Sequence, residues 1–257
     1  MLAMLDSPLL FGPLVILLLV AAGWAGGWLR SRQTTTTDEA PASFKTLEGA
    51  VLGLLSLLLG FSFAMAVGRY DQRKQLEVDE ANAIGTSWLR TANLDEPERA
   101  NSRQALREYV PVRLGFFAAG TDAKAVTASL DRTATLQDKL WKLATDPSNG
   151  PTTVYKSLYL TSLNECFDIS EKRTAAAFED RVPTAVWVLL LFISVAASLL
   201  VGVSLSMRSP ALLLVVPLVM GATLTLILDM DSPRSGFVTV YQSSMQRVAA
   251  QIASAPR

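Results

Sequence analysis

The chain has 257 residues, 50% hydrophobic and 18% charged, with 23 basic side chains balanced by 23 acidic ones. That balance offers no basic surplus for nucleic acid, and the absence of histidine removes the commonest general base and the commonest neutral metal ligand. One cysteine, Cys166, allows neither an internal disulfide nor a thiolate metal cluster and reads as a buried structural thiol.

Residues 8–29 are uncharged over a length that suits a membrane span, about 20 residues for about 30 Å of hydrocarbon. The alternative is a cleaved signal peptide. The run exceeds the usual apolar core of about 7–15 residues, and no Lys or Arg precedes it. Residues 30–46 contain SRQTTTTDEAPAS, which is polar, rich in breakers and expected to be mobile. The next apolar run, 47–68, has one acid at its edge, Glu48, and passes without a stop signal into the charged stretch 70–93. One helix over about 47–93 is predicted, about 70 Å long and twice the bilayer core.

Asp95 and Pro97 read as the cap and first turn of a helix over 96–119, closed by Gly120. Pro111 should kink or break it near Val110. Helices over 122–145 and from about 152 toward 182 follow, parted by the turn sequence DPSNGP. Pro183 marks entry to an uncharged run at 184–206, and another occupies 211–228. The expectation is an all-α, four-span helical membrane protein. A helical stalk, 69–182, is inserted between spans 2 and 3, flanked by hairpins 1–68 and 183–228 and followed by a tail, 229–257. No strand pattern or internal repeat is visible.

The stretch 69–181 holds 16 basic and 17 acidic residues. Near the spans, the stalk side carries eight Lys or Arg and the opposite side four, among them Arg208. The count favours a cytoplasmic stalk, although the opposite loops are much shorter.

Span 2 carries a stripe. Gly49, Gly53, Ser56, Gly60 and Ala64 are spaced four, three, four and four apart and fall on one helix face with Phe63 and Val67. Small residues let backbones approach closely, which serves helix packing within one subunit. The same stripe could instead ring an axis, with Phe63 and Val67 as an apolar constriction. No charge lies deep in any span, which counts against a proton-driven transporter and leaves a passive channel open.

Where the long helix leaves the membrane, Arg69, Tyr70, Asp71, Arg73 and Lys74 crowd together, and span 4 ends LDMDSPRSG. Asp229 and Asp231 could pair with Arg69 or Arg73, or help to bind a hard cation, which would need further oxygen ligands. The arginines could also simply snorkel to headgroups. Ser232 and Pro233 resemble a helix start, which places a short helix at about 241–253 along or beneath the membrane. Further along the long helix, Asp79, Asn82, Thr86 and Arg90 form a polar face, with Leu76, Ile84 and Trp88 on another. Asn82 lies about a third of a turn off the small-residue face.

EANAIGTSWLR after the second span, REYVPVR (107–113) and LDMDSPRSG together resemble the bestrophin-like membrane proteins, long labelled a domain of unknown function. The Glu80–Asn82 run and the turn from Pro233 to Gly236 carry the likeness most specifically. More distantly, the chain is similar to the bestrophin anion channels. Tyr70, Asp71 and Arg73 resemble their Tyr-Asp-Arg motif, with the Arg one place late. Ser56, Gly60, Phe63 and Ala64 occupy the stretch comparable to their neck. The resemblance implies four spans, a cytosolic stalk with both termini on the same side of the inner membrane, and a pentamer around span 2. It also implies passive anion conduction, with Arg69, Tyr70, Arg73, Asn82, Thr86 and Arg90 at the pore mouth and along the stalk. Small inorganic ions, the bilayer and further copies of the chain are then its partners, and no cofactor is implied. A non-conducting scaffold or sensor is the alternative. An enzyme is disfavoured, since no nucleophile, metal cluster or phosphate loop is arranged for chemistry.

Overall fold

The computed structural model describes residues 8–32, 42–149, 151, 153–205 and 211–255. Most of the expected loop after span 1, Gly150 and Thr152 of the stalk turn, Ser206 and Arg208 lie outside the described residues. The helices, in order, are α1 (Pro8–Arg32), α2 (Ala42–Arg90), α3 (Glu98–Ala118), α4 (Ala123–Thr145), α5 (Val154–Phe178), α6 (Thr184–Leu205), α7 (Leu212–Asp231) and α8 (Ser243–Ser254). No strand occurs among the described residues. Among the described residues four helices are long and apolar enough to cross a membrane: α1, α2, α6 and α7. The chain groups into two units, residues up to Tyr70 with Arg181–Val238, and Asp71–Asp180 with Thr239–Arg257. Asp229 to Val238, read from sequence as the start of the tail, group with the spans.

In the first unit α1 packs along both α6 and α7. Its core includes Phe11, Val15 and Leu19 of α1, Trp187 and Leu190 of α6, and Leu224 and Ile227 of α7. The Phe11 and Trp187 rings meet edge-on, with centroids 5.6 Å apart. In lipid, apolar area alone does not draw helices together, so close backbone approach has to. Here it comes from Gly23 and Gly26 of α1 against α6. A Cβ on Gly202 would collide with the Gly23 carbonyl, and one on Gly26 with that of Leu199.

The second unit is the stalk bundle, where α3 packs on α4 and α8, and α4 on α5. Its core includes Ile84 and Trp88 of α2, Leu106 and Tyr109 of α3, Leu136 and Leu140 of α4, and Leu163 and Cys166 of α5. In water each such fully buried apolar side chain contributes about 1.5–3 kcal/mol. Asp122 caps α4, accepting from the backbone N–H groups of Lys124 and Ala125, and Thr153 caps α5 through Lys156 N–H. Gly120, at φ 53°, makes the left-handed turn after α3.

Two local expectations need correction. Pro111 does not break α3, which runs through it from Glu98 to Ala118. Tyr109, Val110, Arg113 and Phe116 around it are buried, and that packing offsets the lost N–H donor. Ser232 does not start a helix; it is the C-cap of α7, and the next helix begins at Ser243. That helix, α8, contributes to the core of the second unit, where Met245 and Ile252 are buried.

Candidate functional site

α2 is one unbroken helix of 49 residues. Of its buried residues, Leu55, Ser62, Ala66, Arg73, Glu77, Glu80, Ile84 and Trp88 keep to one face at about 100° per residue. The small-residue stripe lies about 80–180° around the helix from Leu55. A Cβ on Gly49, Gly53, Gly60 or Gly68 would meet nothing within 4 Å. Gly49, Gly53, Ser56, Gly60 and Ala64 are all exposed, Phe63 is 38% exposed and Val67 is half-buried. Bulky Leu54, Leu57 and Phe61 occupy a third, exposed face. The stripe therefore does not pack within its own protomer. Ser56 Oγ donates to the Leu52 carbonyl at 2.8 Å. Ser56 also borders an apolar cleft of about 260 Å³ between α2 and α7, lined by Leu55, Val216 and Met220.

At the end of the first unit, Asp231 draws three segments together. Its carboxylate accepts from Arg69 Nη1 at 3.0 Å, and both oxygens accept from Val182 N–H, at 3.1 and 3.0 Å. Asp229 accepts from the N–H groups of Phe237 and Val238 at 2.8 and 2.7 Å. Both aspartates are buried. Their oxygens are spent on arginine and backbone, and among the described residues no cluster of three or more His, Cys, Asp or Glu could hold a metal ion. Tyr70 is half-buried.

The stalk portion of α2 separates its polar residues. Asn82 and Thr86 border an open groove of about 700 Å³ with Asp79, Asp168 and Lys172. Arg90 does not join them: its Nη1 donates to the Leu158 carbonyl at 2.6 Å. Arg73 faces the buried side.

The most heavily buried charges include Glu80 and Arg113, which sequence reasoning met only inside the motifs EANAIGTSWLR and REYVPVR, without pairing them. Glu80, with no exposed side-chain surface, accepts from Arg113 Nε at 2.6 Å and from Arg173 Nη1. Arg113 Nη2 also donates to the Ser170 carbonyl at 3.2 Å, and Arg173 Nη2 to Gln242 at 2.6 Å. Arg173 stacks 3.8 Å from the Phe117 ring centroid. One turn earlier, buried Glu77 accepts from Met245 N–H at 2.8 Å and so caps α8. Burial works against the Arg113 charge, but Glu80, together with Tyr109 and Cys166, holds the guanidinium above its ordinary pKa. For Arg173 burial outweighs Glu80, and the value falls. Burial raises the Tyr109 phenol and the Cys166 thiol alongside. A signal was available: Glu77 and Glu80 share the period of Ile84 and Trp88 and so belong to the packed face.

A model of the bestrophin-like domain matches residues 17–245. The chain belongs to the bestrophin-like family. No curated protein sequence matches it. Among solved structures, this bestrophin-like chain is similar to a bacterial bestrophin homolog from Klebsiella pneumoniae. A point variant of that homolog gives a TM-score of 0.68 at 13% identity, covering 96% of this chain and 99% of the other. A second crystal structure of it, phased on zinc, gives 0.68 at 14% identity, over 94% and 95% of the two chains. At this identity the likeness is one of fold. It is the all-helical bestrophin-like architecture: four membrane-length helices with a helical unit inserted between the second and third.

Proposed function

We propose that this bestrophin-like protein is a homo-oligomeric, passive ion channel of the inner membrane, conducting anions, with α2 lining the pore. The observation that carries the reading is the open small-residue face of α2. A helix that leaves its slimmest side uncovered by its own protomer has that side available for an axis shared with other copies. In this reading Ser56, Gly60 and Ala64 widen the path, and Phe63 and Val67 narrow it with apolar surface that can gate by dewetting. Arg69, Tyr70 and Arg73 mark the mouth. The stretch bearing Asn82, Thr86 and Arg90 continues as a cytosolic vestibule, with both termini on that side. Family membership and fold support a pentamer, and the likeness to bestrophin anion channels supports the choice of ion.

Purified protein reconstituted in planar bilayers tests this. Currents whose reversal potential follows the anion gradient are expected. Absence of current across salt and voltage conditions would sink the channel reading. The same open stripe suits tight helix packing in a non-conducting scaffold or sensor. An oligomer structure with a closed-packed axis in every state would favour that second reading.

A further inference from the structure

Glu98 and Ser102 lie one turn apart on α3, and Lys156 and Tyr159 one turn apart on α5. All four side chains are buried. Lys156 Nζ stands 3.3 Å from Glu98 Oε2. Glu98 Oε1 has no hydrogen-bond partner, and Ser102 Oγ and Tyr159 Oη have none beyond their own mutual contact. Buried polar atoms are nearly always paired, so an unpartnered carboxylate oxygen beside one ion pair calls for an explanation. Lys156 also borders an open pocket of about 610 Å³, lined by Ala144, Asp146, Pro147 and Leu160 among others. Asp146 Oδ1 accepts from Ser148 N–H and Oγ at 2.9 and 2.7 Å, which leaves Oδ2 for an ammonium. Those bonds to Ser148, with a smaller pull from Lys156, hold the Asp146 carboxyl below its ordinary value. Lys156 thus has one carboxylate inside the bundle and a second on the pocket wall.

We propose that Glu98 is a proton-uptake site and that Lys156 is a two-position latch. It binds Glu98 while that carboxylate is ionised and turns to Asp146 once Glu98 is protonated. The proton gives Glu98 an O–H to donate to Ser102 Oγ or Tyr159 Oη, supplying Glu98 with the second partner that it lacks. The ammonium has a carboxylate in both positions, so neither leaves a lone buried charge. The charged groups acting on Glu98 are Asp95 before α3, Asp146 at the end of α4 and Lys156 on α5; Tyr159 on α5 is the neutral titratable neighbour. Burial, aided by Asp95 and Asp146, lifts Glu98 above the ordinary carboxylate value against the pull of Lys156. Acidification therefore drives the change, which acts where Lys156 of α5 faces Asp146 at the end of α4.

The test reads Lys156 directly. Full-length protein at neutral pH is labelled with an amine-reactive ester, and modification at Lys156 is measured by peptide mass spectrometry against exposed Lys139. Glu98→Gln, a neutral mimic, is expected to raise Lys156 labelling several-fold without lowering the melting temperature. Unchanged labelling would overturn the proposal, and so would a rise accompanied by loss of thermal stability, which reports a damaged fold. In the wild type, hydrogen exchange over 143–160, corrected for intrinsic rate, is expected to change between neutral and mildly acid pH. If Glu98→Gln shows the same change, Glu98 is not the group that takes the proton.

Discussion

Arg113 and Glu80, 33 positions apart, form an ion pair with no solvent-exposed side-chain surface on either partner. The pair ties α3 to the stalk portion of α2, and Arg173 brings in α5 through the same carboxylate. Removing one partner leaves a buried charge uncompensated. Glu80→Ala is expected to destabilise the stalk by about 3–5 kcal/mol. A large drop in melting temperature in detergent checks it, and a drop no greater than for an exposed acid such as Asp138→Ala would refute it.

Asp231 is expected to matter through the segments that it holds. Asp231→Ala orphans Val182 N–H and frees Arg69, a loss on the order of 2–3 kcal/mol. Because the carboxylates of Asp229 and Asp231 are occupied by protein donors, calcium is expected to leave the wild-type melting curve unmoved. A calcium-dependent rise abolished by Asp229→Ala would restore the cation reading.

Two glycines separate packing from conduction. Gly202→Leu drives a side chain into the Gly23 carbonyl and is expected to cost at least about 1–3 kcal/mol, seen as loss of monodisperse protein. Gly60→Leu meets open space within the protomer. It is expected to leave assembly intact by size-exclusion light scattering and to alter or abolish current. Disassembly by Gly60→Leu would identify that face as tight packing instead.

The pH dependence of stability carries the mark of Glu98. Its folded-state pKa lies above its unfolded one. The folded state therefore binds the proton more tightly, and the contribution is present below the unfolded value, near 4.5. It is lost as pH rises through the folded value. The difference in melting temperature between Glu98→Gln and wild type is expected to be positive at neutral pH and to shrink on acidification through that window. A difference independent of pH would contradict the assignment.

The long helix was legible in the sequence because nothing between residues 47 and 90 interrupts it, and helix geometry alone then fixes which residues share a face. The stripe from Gly49 to Ala64 was legible for the same reason. So were the apolar runs, because the length of a membrane span is set by the bilayer. The motifs EANAIGTSWLR and LDMDSPRSG pointed to the family now matched over residues 17–245.

Periodicity cannot say what a face touches. Whether the stripe packs at home or stays open depended on where α1, α6 and α7 settle. They settle on one another where glycines let two helices come close: Gly23, Gly26 and Gly202 between α1 and α6, and Gly221 of α7 against Ile16 of α1. Nor could the chain show that Glu80 meets Arg113 and Arg173, since charges far apart in sequence become partners only when tertiary packing shuts out water. Pro111 makes the same point in reverse: a local rule gave way because buried neighbours on both sides hold the helix. Sequence set the lengths and faces of the elements, and tertiary structure decided which faces were covered.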